Sequence, residues 1–209
     1  MSTDDAVGGG WSSVSDRGFD VGAHVSDPQP YEHMIAGARR MLDDLAGANP
    51  PVEVVDEVAE MFANVRTLLS GHSVPERRRP FGHLDVPGRG QCMSPLIDFD
   101  HWGRDSSSGR VTFGNFYLGG NGAAHGGTIP LMFDEVLGRL ASTDRTPCRT
   151  AYLHVDFRSI TPVGVELAVT ARFDREEGRK RYLRAELRNG DVLCAEAEGL
   201  FIELRPGQP

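Results

Sequence analysis

Two apolar stripes of helical period open the patterned part of the chain. Tyr31, Met34, Ile35, Ala38, Met41, Leu42 and Leu45 recur three or four positions apart, or side by side on one face. That spacing predicts an amphipathic helix. Asn49-Pro50-Pro51 breaks it, because proline cannot continue a helical hydrogen-bond ladder. The second stripe runs Val54, Val55, Val58, Phe62, Val65, Leu68 and Leu69, with Gly71 as its expected stop. Ahead of both, residues 1–28 are rich in Gly, Ser and Asp and carry no apolar period. That is the composition of a disordered tail. The Arg77-Arg78-Arg79 run reads as a solvated connector.

From about residue 90 the period changes. Residues 91–99 and 111–118 are short, largely apolar runs separated by a serine-rich, turn-like stretch at 103–109, and are expected to be two strands. A helix pattern covers 126–142, and four strand patterns follow. In the first, Leu153, Val155 and Phe157 alternate with His154, Asp156 and Arg158. The second alternates from Val165 to Phe173, the third places Leu183, Ala185 and Leu187 on one face, and the last runs from Val192 to about Leu204. Period two implies one buried and one wet face, the mark of an antiparallel sheet. Asn189-Gly190 is a strong hairpin signal and Glu177-Gly178 a weaker one. Gly199, where the alternation shifts phase, is the expected site of a bulge.

One long apolar helix must be covered by the apolar face of the sheet. The expected class is therefore α+β, a curved antiparallel sheet wrapped around a central helix. The expected organisation is a tail at 1–28, a helical extension at 29–80 and the α+β domain at 81–209. A chain of 209 residues with 39% hydrophobic and 25% charged residues can build such a core.

Charge and cysteine usage narrow the function. The net charge of −8 speaks against a nucleic-acid partner, and an anionic ligand would need a local basic patch working against the overall field. No run of about 18 apolar residues is present, so no membrane span is expected. The start, Met1-Ser2-Thr3-Asp4-Asp5, lacks the basic-then-apolar pattern of a signal peptide, and cytoplasmic residence is the expectation. Cys92, Cys148 and Cys194 are odd in number and far apart, which reads as reduced thiols rather than a disulfide framework or zinc ribbon.

Candidate chemistry gathers where the central helix begins. Gly119-Gly120-Asn121-Gly122-Ala123-Ala124-His125-Gly126-Gly127 holds five glycines in nine residues. Glycine lets a ligand approach the main chain closely, and the unpaired N–H groups at a helix start favour an anion or a developing oxyanion. A plain helix cap would use the same residues. Asp134 lies nine positions past His125, with Pro130, Leu131, Leu137 and Gly138 as its helical neighbours and no cation among them. A carboxylate beside an apolar face without a counter-charge is a candidate general base, and a merely solvated Asp is the plain alternative. Glu135 has Arg139 four residues on and reads as ordinary surface. No metal-ligand spacing, no Gly-x-Ser-x-Gly elbow and no βαβ setting for a dinucleotide loop occurs.

These residues resemble a known family. The Ala-His-Gly-Gly turn at 124–127 opening a helix, with Asp134 nine positions past the His, is similar to the hotdog acyl-CoA thioesterases of the phenylacetate (PaaI-like) and thioesterase-superfamily-member type. Thr150, sixteen positions after Asp134, fits the family's spacing, and Thr161-Pro162-Val163-Gly164 resembles the segment after the next strand. The likeness covers roughly residues 90–204. It implies a hotdog fold and hydrolysis of acyl-CoA to free acid and CoA without metal or organic cofactor. Asp134 would activate water or attack as nucleophile. The Gly126 N–H would polarise the thioester carbonyl, His125 would shape that turn, and Thr150 would position the water or Asp134. Gly127, Asp156, Arg158 and Lys180 complete the expected substrate-binding set, with Arg158 or Lys180 against the nucleotide part of CoA. The family's site forms between two protomers of a homodimer or dimer of dimers, so Thr150 and Asp134 can come from different chains. One departure stands out: where many members have Asn six positions before the His, this chain has Gly119, and Asn121 is out of register. The alternative from another class is a non-catalytic acyl-CoA sensor on the same fold.

Overall fold

A computed structural model describes residues 27–205 and 207. The tail expected at 1–28 therefore lies, apart from Asp27 and Pro28, outside the described residues. Helix α1 spans Gln29–Gly47 and α2 spans Val52–Ser70, with Gly71 as C-cap. Both follow the apolar stripes, yet α1 buries only Ile35 and α2 buries nothing. Val54, Val55, Val65, Leu68 and Leu69 all stand in solvent. Among the described residues no helix is long and apolar enough to cross a membrane.

Strands β1 (Ile97–Trp102) and β2 (Ser106–Thr112) differ from expectation. The serine-rich stretch is not the turn but the first half of β2, and residues 113–118 hold a one-turn helix at Asn115–Tyr117 instead of a strand. Small side chains are needed there because β1 crosses closely. A side chain at Gly109 would run into the Asp98 carbonyl, and Ser107 is buried opposite Ala171.

A small hairpin, β3 (Leu118–Gly120) and β4 (Ala123–Ala124), precedes helix α3 (Thr128–Ser142). Asn121 and Gly122 have φ of 50° and 73°, the two left-handed positions of a tight hairpin turn. Asn121-Gly122 is thus the same signal that Asn189-Gly190 sends further on. Strands β5 (Cys148–Phe157), β6 (Glu166–Glu177), β7 (Lys180–Asn189) and β8 (Val192–Glu203) complete one antiparallel sheet in the order β1-β2-β6-β7-β8-β5. Helix α3 lies on one face of it, the hotdog arrangement.

The core forms where period 3.6 meets period 2. Ile129, Met132, Phe133, Val136, Leu137 and Leu140 of α3 pack on Leu167, Val169, Leu183, Leu187, Ala195 and Phe201 of the sheet. Gly199 is not a bulge: it pairs in register with Leu153 on one side and Leu183 on the other. It is glycine because a Cβ would stand 2.7 Å from the Phe201 ring and 3.2 Å from Leu137 of α3. The bulge falls opposite, at Ala151 of β5. Arg181, beside Lys180 in sequence, is buried and ties the sheet to the end of α3, donating to the carbonyls of Ala141 and Thr146. The three cysteines stand as free thiols.

Candidate active site

Asp134 sits half-buried on the flank of α3 that faces the edge strand β5. The core side chains of α3 turn toward the sheet, and Asp134 emerges beside them. On β5, Thr150 opposes the buried Phe201 and so shares the helix-facing side. Its hydroxyl donates to Asp134 Oδ1 at 2.8 Å. The pair forms within one chain, which corrects the expectation that the two residues come from different protomers. One carboxylate oxygen is thereby occupied and oriented, and Oδ2 is left to act on another group.

Glu135 points about 100° away around the helix. It is not ordinary surface. It pairs with Arg89 at 3.4 Å and lines a separate cavity of about 310 Å3 between residues 85–99 and α3. Arg139, its expected partner, stacks its guanidinium 4.0 Å above the Trp102 ring. Burial, then the neighbouring Arg89 charge, pull Arg139 down to about 10.

The glycine-rich turn proves to be three structures. Gly122 serves the β3–β4 turn. Gly119 serves close approach, since a Cβ there would stand 2.8 Å from the His125 Cα. This accounts for the departure from the family's Asn: no side chain of any kind fits at 119 in this conformation. Gly126 and Gly127 lead into α3, whose start has no side-chain cap. His125 is tied into the turn by three hydrogen bonds. Its N–H donates to the Tyr117 carbonyl at 2.7 Å, its carbonyl accepts from Thr128 at 2.9 Å, and its Nδ1 accepts from the Gly127 N–H at 3.0 Å. A neutral ring accepting at Nδ1 carries its proton on Nε2. The Gly127 N–H is therefore already engaged, and of the two glycine N–H groups that of Gly126 is the one without a hydrogen bond. Thr161 of the Thr-Pro-Val-Gly segment holds the turn from the other side, its carbonyl accepting from the Ala124 N–H at 2.8 Å.

The remaining expected binding residues lie elsewhere. Asp156 and Arg158 pair with each other at 2.9 Å, and Arg158 also donates to Glu196 at 2.8 Å. Both belong to the solvent face of the sheet, opposite α3, and are not brought together with Asp134 in one protomer. Lys180 is different. The register sets Lys180 of β7 and Arg149 of β5 on either side of Ile202 of β8. Arg149 and Arg179 then line a surface depression of about 380 Å3 together with Thr150, Ala151, Ile202, Glu203 and Leu204. The carboxylate in this depression, Glu203, is bound by Arg181 at 3.3 Å. A local excess of positive charge thus lies beside Thr150 in a chain of net charge −8. Arg149 carried no signal in the alternation, because only the register across three strands brings it to Arg179 and Lys180. Among the described residues no group of three or more His, Cys, Asp or Glu side chains gathers as a metal site would require.

A sheet wrapped on a helix is the hotdog arrangement, and thioesterases are among the known proteins to which the chain is similar. Residues 121–196 match the family model of the thioesterase superfamily. It is 35% identical over 95 residues to acyl-coenzyme A thioesterase THEM4 of Bos taurus, a stretch covering 44% of this chain and 39% of that protein. It is 28% identical over 94 residues to acyl-coenzyme A thioesterase THEM5 of Homo sapiens, covering 44% and 38%. The chain thus spans about two fifths of the length of these curated relatives. The crystal structure of a thioesterase superfamily protein superposes with a TM-score of 0.71 at 26% identity, over 82% of this chain and 94% of that one.

Proposed function

We propose that the protein hydrolyses acyl-CoA thioesters to the free acid and CoA, with Asp134 as the group that activates water. The observation that carries this is the Thr150–Asp134 hydrogen bond at 2.8 Å on a half-buried flank of α3. Thr150 holds Oδ1, so Oδ2 is the oxygen that takes the proton as water attacks the carbonyl carbon. The tetrahedral oxyanion is stabilised by the unbonded Gly126 N–H, the thiolate of CoA leaves, and the acid is released. A positioned base is worth about 10²–10⁴-fold and an oxyanion donor about 10²–10³-fold, which suits an ester whose sulfur leaves readily. The relatives named as acyl-coenzyme A thioesterases support the substrate class.

The same geometry calls for a second copy. From Gly127 to Asp134 the helix rises about 10 Å, too far for one carbonyl to touch both the Gly126 N–H and Asp134. Strand β5 offers the solution. It is an edge strand, its Tyr152 and Phe157 are exposed, and a bare edge is a template for another strand. Gly126 lies near Phe157, with Thr150 toward the opposite end of β5. Antiparallel pairing of β5 with its copy about the middle of the strand would set Gly126 of one protomer beside Thr150 and Asp134 of the other. The dimer proposed here therefore carries two composite sites. The phosphates of CoA would be met by Arg149, Arg179 and Lys180. Thiol release from a panel of acyl-CoAs by the purified protein tests the activity: turnover supports the reading, and binding without turnover favours a sensor.

A further inference from the structure

The turn that presents the Gly126 N–H is supported from outside the sheet. On its β3 side the support is the bond from the His125 N–H to the Tyr117 carbonyl at 2.7 Å. Tyr117 ends the one-turn helix Asn115–Tyr117, and this is where α1 lands. Asp43 Oδ1 accepts the Phe116 N–H at 3.1 Å. Two glycines mark how closely the pieces meet. A side chain on Gly114 would overlap the Asp43 carboxylate, and a Cβ on Gly47 would stand 2.9 Å from Asn115 Nδ2. Arg39, one turn earlier on α1, anchors the same helix by donating to the carbonyls of Ser94, at 2.9 Å, and Gln91. An isolated two-stranded hairpin is marginal in water, so β3 and β4 depend on such neighbours for a fixed position.

We propose that α1 is a brace for the oxyanion turn and that Asp43 is a positioning residue for the Gly126 N–H. It acts through the Phe116 N–H, the Tyr117 carbonyl and the His125 N–H in turn. Its neighbour Asp44 is exposed and has no part in this. The catalytic consequence rests on the hydrolase reading above; the mechanical claim does not.

The experiment compares wild type, Asp43→Ala and Asp43→Asn by amide hydrogen exchange and by steady-state kinetics on an acyl-CoA. Asparagine keeps an oxygen acceptor at Oδ1, so it should preserve the brace. The His125 amide is expected to exchange about tenfold faster or more in Asp43→Ala, while amides of β7 are unchanged and report an intact fold. The kcat of Asp43→Ala is expected to fall about tenfold or more with KM unmoved, and Asp43→Asn to match wild type in both measurements. Unchanged His125 exchange in Asp43→Ala would overturn the brace, as would Asp43→Asn behaving like alanine. Unaltered kcat in the face of faster exchange would overturn the positioning role. A wild type without turnover would sink the hydrolase reading alone, since the exchange data still decide the brace.

Discussion

Thr150 and Asp134 meet through a 2.8 Å hydrogen bond that joins the edge strand to the central helix. The threonine donates, so the bond fixes the carboxylate with one oxygen occupied and the other open. A hydrogen bond to a charged group is worth about 1.5–3 kcal/mol. Thr150→Ala is therefore expected to lower kcat about 10- to 100-fold, and Thr150→Ser, which keeps the donor, to restore most of it. Steady-state kinetics on one acyl-CoA distinguishes the two.

The basic depression beside Thr150 makes a separable prediction. Arg149→Ala and Arg179→Ala should each raise KM for acyl-CoA about tenfold, the value of a charge-assisted contact to phosphate. Neither should alter turnover of an acyl thioester that lacks the nucleotide. Rising salt should raise the wild-type KM and flatten in the double variant, because exposed charges are screened.

Two glycines are predicted to resist substitution for steric reasons. At Gly119 a Cβ meets the His125 backbone at 2.8 Å, and at Gly199 it meets the Phe201 ring at 2.7 Å. Gly119→Asn and Gly199→Ala should each cost about 1–3 kcal/mol of stability, read by urea unfolding. Gly119→Asn should also lose activity, since the displaced backbone carries Gly126.

The composite site predicts complementation between chains. Gly126→Pro removes the unbonded N–H, and Asp134→Asn removes the base, so each homodimer should be inactive. Mixing the two under exchange gives heterodimers with one intact site, and about one quarter of wild-type activity follows from a two-fold symmetric pair. A mixture as inactive as its parts would contradict the two-chain site.

Much of this was legible in residue order, and the exceptions have physical causes. The meander of β6, β7 and β8 follows from its alternation, because one face lies on α3 and the other in water. Helix α3 follows from its apolar period. The first two strands shifted because three serines resemble a turn, whereas here small side chains let β1 and β2 approach. Asn121-Gly122 was a hairpin signal hidden inside a run that drew attention as a binding loop. Asp134 drew attention as a carboxylate with no cation among its helical neighbours, but Thr150 was reached only through family spacing, since nothing local tells a helix flank that an edge strand will face it. Arg149 escaped notice altogether, as did the link from Asp43 to Phe116 across 73 residues.

Thiol release by wild type and Asp134→Asn, measured side by side on the best acyl-CoA of a panel, tests the central claim most directly. The account predicts strong hydrolysis by wild type and a fall of about 10²-fold or more in kcat for the variant, with the fold intact. Hydrolysis that survives the Asp134→Asn change would contradict it.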